Sequence, residues 1–323
     1  MASSLREHVN VDQRARRPWR TLAAGAIVLA AGVQCALAAE APKFVPTPKV
    51  ISIEPGAMPL TPKSRVVAGN ASLKPLAAVL AEEIRQLTGL TLETDTGQGH
   101  DGDIVLKIDP ELRADADIPA VQGQKIVKTR DFAHTIRVAN KALVEGWDYR
   151  AVAEGTATIL QAISGKDGSF ALPRMTVKDW PAADYTGTMV DLARQHIPID
   201  AIKAVVDACR LWKIRYCQLH LSDDEGFTFP STAYPKLGTK NQAAHGGIVP
   251  RVYTLKELKD LVAYADARGV TLVPELETPG HSTAIRLAMP EMFDAPKTPG
   301  GEAWIAAMNI ANDAMYPALD TLV

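Results

Sequence analysis

Three groups of side chains in the second half of the chain have the types and spacing for chemistry: Asp191 with Arg194, Asp223 with Asp224, and Glu275, Glu277 and His281. Carboxylates give and take protons, and a histidine does so near neutral pH. A carboxylate such as Asp223 beside an imidazole such as His281 holds it in one tautomer and keeps it charged. A pair of that kind orients or tunes a third group. Arg194 offers a planar fork of donors that suits vicinal sugar hydroxyls or a carboxylate. Each residue also has a plain structural use. Asp191 can cap a loop, Arg194 can pair with it, and a histidine after Pro279-Gly280 can simply shape a turn. Their convergence on consecutive strand ends is what favours function.

Each group follows a short apolar run. Thr188-Met189-Val190 leads into Asp191. Ile214 to Leu221 leads into Asp223-Asp224, and Val270 to Val273 leads into Glu275, Glu277 and His281. Helical stretches separate the runs. Asp200 is placed to cap one with Ile202, Val205, Val206, Cys209 and Trp212 on its apolar face. Thr254 and Glu257 spell a capping box, with Tyr253 and Leu258 as a staple, over a helix that buries Leu258, Leu261, Val262 and Ala265 before Gly269. Alternation of this kind is the mark of βα units in a parallel sheet. In a (β/α) barrel the active site lies at the carboxyl ends of the strands, where these side chains fall. If the runs are extended throughout, Asp223 and Asp224 point to opposite sides of the sheet. The long stretch from Glu225 to Val252, with Gly226, Gly238, Gly246 and Gly247, is expected to shape a binding site. The fold expected is α/β: an N-terminal α+β domain followed by an incomplete (β/α)8 TIM barrel. About three βα units precede Val323, where a barrel needs eight.

The first half reads differently. Arg14, Arg16, Arg17 and Arg20 precede an apolar, alanine-rich run from Leu22 to Val33, and Ala36-Leu37-Ala38 suits signal peptidase. Residues 1–38 are therefore expected to be a signal peptide, with the mature protein secreted or periplasmic and not stably inserted in a membrane. Residues 39–48 are a proline-rich lead-in. Residues 49–182 are expected to be an α+β accessory domain, with strands over 50–53, 103–108 and 134–138. One of its helices is capped by Ser72, carries Leu76, Val79, Leu80, Ile84 and Leu87, and stops at Gly89. A second presents Val152, Thr156, Ile159, Leu160 and Ile163, with Gly165 beyond. Trp180-Pro181 marks the boundary with the catalytic domain, 183–323. The formal net charge is −2 with no basic run beyond the N-terminus, which excludes a nucleic-acid partner. Past residue 38 only Cys209 and Cys217 remain, too few for a disulfide scaffold, and they are expected to be buried thiols. Cysteine and histidine show no zinc spacing, so no metal and no cofactor is expected.

Three stretches resemble glycoside hydrolase family 20, the β-N-acetylhexosaminidases. Leu219 to Phe227, LHLSDDEGF, resembles its HLTDDQGW stretch. Val273 to His281, VPELETPGH, resembles its PEIDMPGH stretch, and Gly187 to Arg194, GTMVDLAR, resembles its RGLMLDVAR opening. The order of the three is also the family's. The resemblance covers roughly 183–323, and 49–180 resembles the α+β domain before the family's barrel.

The resemblance implies substrate-assisted, retaining removal of terminal non-reducing N-acetylhexosamine from glycans or chitooligosaccharides. In that scheme the 2-acetamido oxygen attacks its own anomeric carbon. A glutamic acid protonates the leaving oxygen, and the aspartate before it orients the acetamido group. By position Arg194 binds the terminal sugar's hydroxyls, Asp223 and His281 support the acid, and Asp191, Asp224 and Glu275 complete the sugar site. The family's Gly-Gly-Asp-Glu stretch, which carries the acid, is absent. Asp224-Glu225 belongs to the second-strand motif instead. The 323-residue chain by itself is therefore expected to be inactive. Thr186 and Gln195 stand where the family has arginine and histidine, and Phe227 and Glu277 replace tryptophan and aspartate. Two other readings stay open. One is a different retaining barrel glycosidase that uses Glu275 or Glu277 with Asp223, which needs those carboxyls about 5–5.5 Å apart. The other is a secreted glycan-binding relative without catalysis.

Overall fold

In the computed structural model two β-sheets follow one another along the chain. The structure describes residues 42–112, 133–183, 185–239, 251–294, 299–300 and 307–322. The expected signal peptide, part of the lead-in, and Gly246 and Gly247 lie outside those residues.

The first sheet is built from β1 (Val50–Leu60), β2 (Arg65–Ala68), β3 (Glu93–Thr96), β4 (Ile104–Ile108), β5 (His134–Val138), β6 (Ala142–Gly146), β7 (Ser164–Lys166) and β8 (Ser169–Asp179). Its order is β1-β8-β5-β6-β4-β2-β3, with β7 added to β8. The β3, β2, β4 and β6 pairings are parallel, whereas β5, β8, β1 and β7 pair antiparallel. Two helices, α1 (Lys74–Thr88) and α2 (Tyr149–Ala162), cover the sheet. Their apolar stripes, including Leu76, Leu80, Ile84, Val152 and Ile159, meet Val66, Ile104, Leu106, Ile136 and Val144 in one core. This is an α+β layer that buries one face of a mixed sheet.

The second sheet has order β11-β10-β9, all parallel, from β9 (Gly187–Asp191), β10 (Tyr216–His220) and β11 (Thr271–Glu275). The connections carry α3 (Ile199–Leu211) and α4 (Leu255–Asp266). These are βα units, as the alternation of apolar runs and amphipathic stretches requires. After β11 come α5 (Thr283–Ala288), α6 (Pro290–Phe293) and α7 (Met315–Leu322), which gather Phe227, Ile285, Met289, Phe293 and Met308 into a further cluster.

Several local expectations need correction. Ser72 does not cap α1. Asn70 caps a single 3-10 turn over Ala71–Leu73, and α1 starts at Lys74 with proline in its first turn, where no amide bond is lost. Pro198, not Asp200, is the N-cap of α3, and Asp200 sits in the first turn. Leu87, Trp212 and Val262 are exposed and stay outside the core. Strands β2, β3, β6, β7 and β8, and β1 beyond Ile53, are additions to the strands expected over 50–53, 103–108 and 134–138; Gly165 belongs to β7 and does not merely follow a helix. The capping box of Thr254 and Glu257 forms as the residues spell it, and Gly89 ends α1 with φ of 77°.

Residues Ala39–Val323 form one unit. Charged side chains stitch the two sheets' helices together. Arg210 on α3, with 1% of its side chain exposed, makes a bidentate pair with Glu83 on α1 at 2.6 and 2.7 Å. Arg215 pairs with Glu154 at 2.8 Å and Lys213 with Asp179 at 2.8 Å. Tyr149 donates to the Ala267 carbonyl at 2.8 Å. Gly269, with φ of 75°, closes the turn into β11 so tightly that a Cβ there would lie 2.6 Å from that of Ala153.

Candidate active site

Parallel register sets the three strand ends level. His220 stands opposite Asp191 on one side and opposite Glu275 on the other. The polar side chains therefore meet at one carboxyl edge, as the βα pattern implies.

At the end of β9, Asp191 Oδ1 accepts from the amides of Ala193 at 3.1 Å and Arg194 at 3.0 Å. Its Oδ2 accepts from Arg194 Nη1 at 2.7 Å. The carboxylate thus folds the loop and aims the guanidinium. Arg194 reaches on to Asp223 and, at 3.5 Å, to Glu225, with 44% of its side chain still exposed. Asp191 is thus the loop cap, and Arg194 is paired with it yet keeps an open edge.

Beyond β10 the extended run stops. The chain turns so that the Asp223 amide donates to the Gly226 carbonyl at 2.8 Å, and Ser222 bridges antiparallel to Phe227. This turn is why Asp223 and Asp224 do not point to opposite sides. Both carboxylates reach toward His281, whose Nδ1 lies 3.1 Å from Asp223 Oδ1 and 3.9 Å from Asp224 Oδ2. His281 has a φ of 47°, a left-handed conformation that costs energy for a non-glycine residue and recurs at functional sites. Asp224 Oδ1 accepts from the Thr283 amide at 3.1 Å and its hydroxyl at 2.6 Å, which anchors the start of α5.

Asp223, 1% exposed, is the hub. Its Oδ2 accepts from His220 Nε2 at 2.8 Å. Burial raises its pKa, but the Asp224 amide, His220, Arg194 and His281 outweigh that and hold it below the ordinary aspartate range. Desolvation pulls the His220 pKa down, yet the carboxylates of Asp223 and Glu275 beside it leave it raised. Gln218 on β10 donates to Glu275 Oε2. Burial raises the Glu275 pKa, but Gln218, Glu277 and His220 leave it lowered, whereas Glu277 is raised by its hydrogen bond to Glu275. Arg194 is raised by its bond to Asp191.

His220, Gln218 and Ser222 were missed as site residues. Their signal is visible in hindsight: Gln218 and His220 are two polar residues spaced by two, hence on one face of an otherwise apolar strand.

A mixed α+β layer leading into parallel βα units, with carboxylates, an arginine and a histidine at the strand ends, defines a chain of the (β/α)-barrel class. Residues 184–323 match the catalytic-domain model of glycosyl hydrolase family 20, and residues 41–180 match that family's domain 2. The chain belongs to glycosyl hydrolase family 20. It is 39% identical over 131 residues to a β-hexosaminidase of Akkermansia muciniphila, which covers 39% of this chain and 27% of that protein. A β-hexosaminidase of Porphyromonas gingivalis is 25% identical over 264 residues, 79% of this chain and 32% of that protein. The fold matches the exo β-N-acetylglucosaminidase of Vibrio harveyi, solved with N-acetylglucosamine, at a TM-score of 0.70 and 21% identity, over 86% of this chain and 43% of that one. The chain spans less than half the length of these relatives.

Proposed function

We propose that this chain is part of a β-N-acetylhexosaminidase that removes terminal non-reducing N-acetylhexosamine from glycans or chitooligosaccharides, with the substrate's own 2-acetamido group as nucleophile. The observation that carries the reading is the Arg194–Asp223–His281 constellation at the carboxyl edge. Arg194 presents its open edge to the sugar's hydroxyls. Asp223 holds His281 at 3.1 Å, where the imidazole can steady a general acid from a later strand. Asp191 acts through Arg194, Asp224 through the α5 loop, and Glu275 through His220. N-terminal export to a secreted or periplasmic location is part of the same proposal. Among the described residues no helix is long and apolar enough to cross a membrane.

The geometry disfavours a two-carboxylate glycosidase built on Asp223 with Glu275 or Glu277. The His220 ring stands between them, with Asp223 on Nε2 at 2.8 Å and Glu275 on Nδ1 at 3.3 Å. The space a scissile bond would need is already filled.

The test offers the full-length protein two nitrophenyl β-glycosides, one of N-acetylglucosamine and one of glucose. Turnover of the first and not the second is expected, because glucose lacks the nucleophile. Equal turnover of both would return the two-carboxylate scheme. Binding of N-acetylglucosamine with turnover of neither would make the protein a glycan binder.

A further inference from the structure

We propose that His220, Glu275 and Glu277 form a binding site for a divalent transition-metal cation such as zinc. One nitrogen and one oxygen of each carboxylate meet at this point. The three ligand atoms all lie within 4.8 Å of one another.

The first argument is the direction of the imidazole. His220 Nε2 faces Asp223 Oδ2 at 2.8 Å, and an ionised carboxylate can only accept. In the neutral imidazole the ring hydrogen therefore sits on Nε2. Nδ1 then carries a lone pair, is buried, and has no hydrogen-bond partner among the described residues. It is aimed at Glu275 Oε1, 3.3 Å away, and Glu277 Oε1, 3.7 Å away, while the His220 side chain is only 6% exposed. A lone pair on Nδ1 facing two carboxylates is a ligand set that a positive centre between them completes.

The second argument is spacing. Zinc–nitrogen and zinc–oxygen bonds of about 2.0–2.2 Å at tetrahedral angles put neighbouring ligand atoms roughly 3.3–3.5 Å apart. The 3.3 and 3.7 Å separations match that edge length with little movement. Three protein ligands also leave the fourth position open. With 24% and 27% of their side chains exposed, Glu275 and Glu277 leave a route for the ion.

The third argument is the outer shell. A metal-binding histidine typically gives its other N–H to a carboxylate, and ligating carboxylates are themselves hydrogen-bonded. Asp223 takes the first role and Gln218, donating to the far oxygen of Glu275, takes the second. The Glu277 amide donates to Ser222 Oγ at 2.8 Å and fixes that ligand's backbone. A neutral imidazole with two carboxylates carries two negative charges, which a divalent ion cancels. The mixed nitrogen–oxygen set suits zinc, and magnesium, which prefers all-oxygen sites, serves as the contrast.

The inference does not rest on the proposed hydrolase activity, and its readout is binding. The full chain, stripped of metal, is titrated at pH 7 with zinc against a chromophoric competitor. One zinc per chain is expected to bind, with magnesium far weaker, and cobalt in its place gives visible bands of a low-coordinate nitrogen–oxygen site. Glu277→Gln, nearly isosteric and half-buried, loses the site. Gln218→Ala, which removes only an outer-shell donor, weakens it about 10–100-fold. His281→Ala leaves it unchanged, which separates this site from the neighbouring Asp223, Asp224 and His281 group. Circular dichroism confirms that each variant is folded. Failure to bind zinc below about 100 µM, or affinities equal in wild type and folded Glu277→Gln, overturns the proposal.

Discussion

The two sheets solve the same packing problem to different extents. In the first, α1 and α2 close one face, and Val66, Ile104, Leu106, Ile136 and Val144 are fully buried. In the second, β10 alone among the described residues' strands has a strand on each side, Met189 on β9 is 55% exposed, and four of the five residues of β11 are half-buried. The polar groups are distributed the opposite way. The first region places its charges at its margin, in pairs that reach across to α3 and the start of β10. The second collects them at its strand ends. One region is organised for stability and the other for chemistry, and the second borrows stability through the seam.

The largest test of that contrast is to separate the regions. An open parallel sheet presents unpaired edge groups and wants both faces covered. Residues 41–182 alone are expected to fold and melt cooperatively, whereas 183–323 alone aggregates. A monomeric, cooperative melt of 183–323 would break the comparison.

The seam itself comes next. Arg210→Ala strands the Glu83 carboxylate and the acceptors at Ala153 and Thr156 that its guanidinium now satisfies. Losing one partner of a buried pair costs about 3–5 kcal/mol, toward the lower end here because Glu83 keeps some water. Denaturant melts of the full chain measure it. Replacing both partners together, Arg210→Met with Glu83→Leu, should restore most of the loss. If the double variant is as unstable as the single, the seam works by shape and not by charge.

The same contrast governs what could be read in advance. The βα region was legible because its signals are local: apolar runs, a capping box at Thr254 and Glu257, and carboxylates after each strand. The first sheet was legible only in part. β3, Glu93–Thr96, is wholly exposed and polar, so no hydrophobic period marks it, and β8 carries a proline within an 11-residue run. At the site, Asp223, His281 and Arg194 announced themselves by motif. The role of His220 depends on Glu275 standing level with it one strand away, which pairing register alone decides. The turn that brings Asp223 and Asp224 to the same side is likewise a tertiary event, fixed by the bridge between Ser222 and Phe227.

Site substitutions are read in the rate of the folded fraction. In the full-length protein Asp223→Asn keeps the size but removes the charge beside His281 and His220. A loss of about 10²-fold in kcat is expected, at the low end for general-acid help, with a shifted pH profile and little change in KM. Arg194→Ala weakens grip on the terminal sugar by about 1.5–3 kcal/mol, or about 10- to 150-fold in kcat/KM. Kinetics normalised to folded protein check both. Unchanged constants would return these residues to the scaffold and erase the functional half of the comparison.

The smallest effect probes a charge pair inside the first region. Asp103, buried, accepts from Arg65 Nη2 at 2.7 Å, from the Arg65 amide at 3.0 Å and from the His100 amide at 2.8 Å. Burial raises its pKa, but the bonds from Arg65 and the two amides win and hold it below the ordinary aspartate value. A depressed pKa favours the folded state when the group is ionised in both states. The contribution is therefore complete above the unfolded aspartate pKa of about 3.9 and disappears as pH falls through the lower folded value. Asp103→Asn keeps a shape that can accept but lacks the charge, so it should cost about 1 kcal/mol near neutrality. Because the asparagine cannot titrate, the variant's melting temperature should fall less steeply in acid, and the two curves should converge at the lowest pH. Melts of the full chain across the acid range measure this. A gap between wild type and variant that stays constant from neutral pH into strong acid would show that Asp103 holds the β2–β4 end through shape alone. The first region would then owe nothing to charge within its own sheet, and its ion pairs would matter only at the seam.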